Sequence, residues 1–372
     1  QLGSFLASGR KIDITQTGDV LIAGLTAATS ASVMSTAGDI GVVTGAVVTV
    51  GDAASFSVDS ATGNIDLSIS VNTLGNVALT GRTVSLTESD NISLRSVIAD
   101  TLTLQAGGDV TNLDGASIAV SGTSQLTANA IALGTQASDT ANFGRLNITA
   151  VNASISESSS MLLGTISATN LTLQAVDAIT DAANAIVNVS GKADLTVLGN
   201  ASSIVLDGAA NSLARLSAKA GEVSINANAD LVVDSIVASG TNGLNLTVAG
   251  KITVEELSGE IIVDQQANIN AGSVLFDVGS NNKFGGLDLT ITDTNIETGL
   301  VEIRANIEQS TFNGNTTKSD GNILIKSPRI ILGAEGGTVA IVTQGADGGN
   351  GSVTLGGVLA DGSLAIEAGE LL

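Results

Sequence analysis

The sequence predicts an all-β chain wound as a parallel β-helix, and three observations predict it. A short pattern returns roughly every 70 residues. Inside each copy, apolar and polar side chains alternate. Apolar residues make up 43% of the 372-residue chain, yet aromatics only 2%, so the core must be narrow enough to fill without large rings.

The recurrence is a small residue followed by apolar side chains at every second position. GSFLA starts at Gly3, GNVAL at Gly75, GRLNI at Gly144, ARLSA at Ala214, GGLDL at Gly285 and GSVTL at Gly351, in steps of 72, 69, 70, 71 and 66 residues. These set repeat units at 3–74, 75–143, 144–213, 214–284 and 285–350, with a partial unit at 351–372, in one continuous solenoid over 1–372. Leu2–Ile14 (LGSFLASGRKIDI) lies beside Leu74–Leu86 (LGNVALTGRTVSL) without a gap. Ser96–Thr111 answers to Thr165–Thr180, and more loosely to Ser235–Thr253. Length differences between copies fall at Gly, Asn, Ser and Thr, the residues of turns.

Within a unit the period is two. Leu102, Leu104 and Ala106 alternate with Thr103 and Gln105, and Leu146 and Ile148 flank Asn147. Such runs, bounded by Gly and Asx pairs, read as short half-buried strands. Leu104 and Leu173 should point inward and Thr103 outward. No stretch shows a sustained 3.6-residue apolar stripe, so helix should be almost absent. An antiparallel sandwich also uses short strands but gives no reason for a register kept over five copies. Coils of about 20–25 residues do, at three to a unit and about 16 coils in all, a rod roughly 75–80 Å long. One coil alone orders about 23 residues at ~1–2 kcal/mol each, while some eight inward side chains return only ~1.5–3 kcal/mol apiece. Stability must therefore come from stacking on neighbours. Both termini still show the repeat pattern, which favours a segment of a longer solenoid or a protomer joined through its ends.

The formal charge is −22, a field that repels phosphate backbones, so nucleic acid is not an expected partner. Cys is absent, which removes thiol chemistry and Cys-based zinc sites. The most apolar segment, Ile40–Val50, is too short to span a bilayer, and there is no Trp or Tyr for the aromatic girdles of a membrane barrel. Membrane insertion is not expected.

Catalytic chemistry finds little to use. Without His, Cys or Tyr, the Ser-His-Asp, Cys-His and His-metal arrangements are closed. Carboxylates such as Glu88, Asp90, Glu255, Glu256, Asp264 and Asp277 are dispersed and read as a solvated acidic face, so the chain is expected not to be an enzyme. Gly191-Lys192 and Gly250-Lys251 lack the rest of a phosphate loop and read as turn residues. Gly348–Gly356 (GGNGSVTLG) starts like a calcium-binding nonapeptide, but Val353 replaces the Asp ligand. Loose Ca2+ binding falls to turn carboxylates such as Asp347 and Asp361; no other cofactor, and no built metal site, is expected. Phe56, Phe143, Phe276, Phe284 and Phe312 read as core or corner filling rather than sugar platforms.

Two segments, LTLQAGGDVTN (Leu102–Asn112) and ANFGRLNITA (Ala141–Ala150), resemble the repeat region of filamentous-haemagglutinin-like exoproteins, the large secreted partners of two-partner secretion systems. The resemblance covers most of the chain at the level of pattern. It implies a right-handed parallel β-helix, export to the bacterial cell surface and adhesion to cells or matrix. It departs from the family in lacking the Asn-Pro-Asn motifs of the secretion domain; the one proline is Pro328. The expected function is the structural shaft of a secreted surface fibre or adhesin. Its expected partners are flanking repeats or further copies of itself, with cell surface or matrix reached through other regions. The alternative is a protomer that polymerises into an extracellular filament or sheath through solenoid ends or faces.

Overall fold

The computed structural model describes residues 3–199, 202–239 and 244–255, and beyond them the strand segments between Ile262 and Ala368. Strands account for nearly all of it, and the described residues contain no helix. The chain divides into two compact units, Gln1–Ala175 and Val176–Leu372. Each is built of parallel strand pairs in which a strand is matched to one a coil further along the chain.

In the first unit this matching lines up inward side chains in columns. Val20, Ile40, Ile65, Val84, Leu102, Ser124, Leu146 and Leu163 stand in successive register, one from each coil. Beside them runs Leu67, Leu86, Leu104, Leu126, Ile148 and Ile166. Every one of these side chains is buried. In the second unit Ile179, Ile204, Val223 and Leu244 form an equivalent column. The alternation of the sequence is thus the alternation of a sheet with one dry face, and each coil covers the apolar interior of the next. Leu104 and Leu173 are buried and Thr103 is exposed, as the alternation requires.

The strands are longer than the four to six residues the alternation suggests. Val110–Thr127 and Thr140–Glu157 each run 18 residues. The reason lies at the corners, which many coils pass by a bulge inside a strand rather than by leaving the sheet. The register between Ser4–Gln16 and Val20–Ser35 slips between Gly9 and Lys11, and that between Val48–Ser57 and Asn64–Thr80 slips between Val50 and Ala53. A bulge bends its strand while keeping most ladder bonds. Gly191-Lys192 and Gly250-Lys251 sit at two such slips, inside the strands Val187–Val197 and Leu244–Glu255. They are bulge residues, not the turn residues expected of them.

The bulges explain the small residue at the head of three repeats, Gly75, Gly144 and Ala214. Leu74 pairs with Val50 and Asn76 with Ala53, so Gly75 faces two residues at once. A Cβ on Gly75 would lie 2.3 Å from the Asp52 carbonyl oxygen. Gly144 faces the slip between Val120 and Thr123, where a Cβ would lie 2.2 Å from the Ser121 carbonyl oxygen. Ala214 faces the slip between Val189 and Lys192.

A second recurrent device is a left-handed residue before a buried alanine: Gly45-Ala46, Gly115-Ala116 and Asn184-Ala185. Their φ angles are 80°, 75° and 61°, a region open to Gly and tolerated by Asn. The spacing keeps the phase of the repeat.

Among the described residues one register position recurs eight times from Val20 to Leu163 in the first unit and eight times from Ile179 to Val353 in the second. Register steps run from 16 residues (Asn72 to Glu88) to 25 (Ile40 to Ile65) over the first unit. Further on, Ile291 pairs with Ile325 and Ile330 with Ile366, steps of 34 and 36 residues.

Candidate functional site

The outward faces present three kinds of polar feature, and each is positioned by the coil register. The first is a set of Asx ladders at the corners. Asp19 Oδ1 accepts the Asp39 N–H at 3.0 Å, Asp39 Oδ1 accepts the Asn64 N–H at 2.7 Å, and Asn64 Oδ1 accepts Arg82 Nη2 at 3.2 Å. On another stretch Asn91 Oδ1 accepts the Asp109 N–H at 2.8 Å, and Asp109 Oδ1 accepts the Ala130 N–H at 3.0 Å. Asp19, Asp39, Asn91 and Asp109 each satisfy a backbone donor one coil further on, whereas Asn64 receives the Arg82 side chain.

The second feature is a pair of gripping aspartates. Asp139 accepts Asn112 Nδ2 at 2.8 Å and the backbone N–H groups of Gly115 and Gln136 at 3.0 Å each. Loss of hydration works against its charge, but these donors outweigh that and hold its carboxyl below the usual carboxylate range. In the second unit Asp181 does similar work, accepting the Asp207 and Gly208 N–H groups at 3.0 and 2.9 Å and Asn211 Nδ2 at 2.8 Å.

The third is a charge cluster across adjacent coils of the second unit. Lys192 lies 3.0 Å from Asp194 and 3.7 Å from Asp234, which also pairs with Arg215. Such partly exposed pairs are worth little each.

Inside the first unit stand two carboxyls, Glu88, which the solvated-face expectation misplaced, and Glu157. Glu88 and Glu157 are each only 2% exposed. One oxygen of Glu88 accepts the Leu74 N–H at 3.0 Å, and one oxygen of Glu157 accepts the Phe143 N–H at 3.2 Å. The other oxygen of each is buried with no hydrogen-bond partner. Burial pushes both carboxyls up to about 8; for Glu88 the Leu74 hydrogen bond opposes this and Asp90 adds to it. Parity was the available signal. Val84, Leu86 and Glu88 alternate in one phase, as do Ala153, Ile155 and Glu157, so both glutamates continue an inward series. Composition alone reads a Glu as surface.

Asp90 is exposed. Glu255 and Asp277 are in backbone register on paired strands, while Glu256 and Asp264 lie outside the described residues. Asp347 and Asp361, named for loose Ca2+ binding, also lie outside them. Among the described residues no three His, Cys, Asp or Glu side chains are grouped to hold a metal ion. Phe56 and Phe143 are buried, as core or corner filling requires. One shallow groove of about 340 Å3 opens on the first unit beside Ile98, Asp100, Val120 and Ser121. It contains one acid, Asp100, which accepts the Ser121 hydroxyl at 2.8 Å, and no cation.

Residues 81–147 and 150–218 match the model of a family described as repeats of unknown function (DUF5649). The two matches start 69 residues apart, the same step that separates GNVAL from GRLNI. No curated protein and no solved structure matches the chain. With the parallel coils, the matched repeats make this a structural repeat protein of the β-solenoid kind.

Proposed function

We propose that this chain is a shaft segment of a secreted bacterial surface fibre or adhesin, supplying rigid reach while recognition resides elsewhere. The observation that carries the reading is the unbroken columns: in the first unit one inward position is held through eight successive coils by Val, Ile, Leu and a single Ser. A sequence devoted to repeating one stacking solution invests its residues in stiffness rather than in a site. The adhesin context rests on the resemblance of Leu102–Asn112 and Ala141–Ala150 to filamentous-haemagglutinin-like repeats. The acidic surface fits a role without nucleic acid, and the chain has no His, Cys or Tyr, so no enzymatic activity is proposed. Partners are further solenoid repeats, and the location is the cell surface or beyond.

The test is to label intact cells expressing the natural full-length protein with an antibody against residues 75–213, and to image the labelled material by electron microscopy. Label on thin projections that leave the cell supports the shaft. Label confined to the cytosol overturns it. Filaments that assemble from the purified 372-residue chain alone would instead favour the polymerising protomer.

A further inference from the structure

Glu88 and Glu157 occupy the same place in consecutive repeats, and neither is needed for a shaft to stand. Each accepts the N–H of the residue just before a bulge-facing glycine: Leu74 before Gly75, Phe143 before Gly144. Each therefore ties the seam between two repeats. In the next repeat the corresponding position is Ala227, also buried, so a carboxyl is not the only solution the fold accepts.

The surroundings are unusual for a carboxyl. Glu88 is in register with Asn72 on one side and Ala106 on the other, and Glu157 with Ala175. Asn72 spends its side-chain amide on the Leu67 and Thr87 carbonyls, at 2.6 and 2.8 Å. The titratable group facing Glu88 is Asp90, an acid that opposes its ionisation. The neighbour that bonds Glu157 is the Phe143 backbone, and neither glutamate forms an ion pair among the described residues. A protonated carboxyl needs only the one N–H and a place for its proton. An ionised one would bring a net charge into an apolar column with a single donor.

We propose that this pair makes the repeat seams of the first unit sensitive to alkali: closed while both glutamates carry their protons, and loosened when the protons pass to solvent. The sign follows from linkage. An unfolded glutamate loses its proton near its ordinary value of 4.5, whereas the folded ones hold theirs to about 8. Between those limits the native state binds more protons than the unfolded one, so rising pH favours opening, about tenfold in the opening equilibrium per pH unit for each glutamate.

The experiment is hydrogen exchange on the full chain, expressed as protection factors at the Leu74 and Phe143 amides from pH 6 to 9. In the wild type both should fall with pH. In Glu157→Gln the Phe143 protection should become flat while Leu74 still falls, and Glu88→Gln should do the reverse. Flat profiles in the wild type, or an unchanged Phe143 slope in Glu157→Gln, would overturn the proposal. Carboxyl 13C shifts of the wild type need no variant. Two glutamates titrating near 8 support the device, and all glutamates titrating near 4.5 refute it.

Discussion

Replacing Leu104 with alanine probes the stacked column most sharply. Leu104 is fully buried, with Leu86 in register on one side and Leu126 on the other. Truncation removes three heavy atoms from between two leucines that are themselves held in a hydrogen-bonded ladder and cannot collapse into the gap. Leu→Ala changes in such settings cost about 2–5 kcal/mol, with the upper part of the range reached where the site cannot relax. Because coils depend on their neighbours, the loss should appear as local opening as well as in the global melt. Urea denaturation of the full chain gives the global figure, and exchange at the amides of Leu86, Leu104 and Leu126 gives the local one. Leu104→Asp should be worse, since it leaves an unpaired charge where Leu→Ala leaves a void. Thr103→Ala, one residue away and exposed, should stay within about 0.5 kcal/mol of wild type. Equal effects at 103 and 104, or no effect at 104, would refute the inward assignment.

Three further changes test other parts of the packing. Gly144→Ala places a methyl group against the Ser121 carbonyl and should destabilise by about 1–3 kcal/mol in thermal melts, whereas Ala214→Gly, with no contact to relieve, should cost less than Gly144→Ala. Ser124 interrupts the column between Leu102 and Leu146, and its buried hydroxyl has no partner; Ser124→Ala should raise urea stability by about 1 kcal/mol. Asp139 is held ionised by its donors, so its contribution is present above the unfolded value of 3.8 and is lost as pH falls through its lower folded value. Asp139→Asn should accordingly flatten the acid limb of the stability profile below pH 4.

Much of the fold can be read from the chain because one rule repeats. The parity that sets Leu102, Leu104 and Ala106 inward is the parity of the coil, and the step from Gly75 to Gly144 is a structural step of the solenoid. What alternation does not reveal is how corners are turned. Gly191-Lys192 and Gly250-Lys251 read as turn residues because glycine usually ends a strand, yet here it marks a bulge that keeps the strand going. The cause of the glycine at 75 and 144 is likewise hidden, since it depends on a carbonyl one coil away. Glu88 and Glu157 were legible by parity and hidden by charge: an acid on the inward phase contradicts the usual partition, and only the packed neighbours decide the conflict. Asp139 and Asp181 carry no local signal, because their donors come from residues 24 to 30 positions away as well as nearby.

The central claim is that successive coils lie parallel and in register. The chain has no cysteine, so a pair can be introduced on a clean background at the exposed positions Thr103 and Gln125, which the register places side by side. Neighbouring strands are about 4.8 Å apart, within the range a disulfide spans. Thr103→Cys with Gln125→Cys should oxidise to an intramolecular disulfide in the folded chain, while Thr103→Cys with Asn147→Cys, two coils apart, should not. Failure of the first pair to close, or equal closure of both, would contradict parallel stacking.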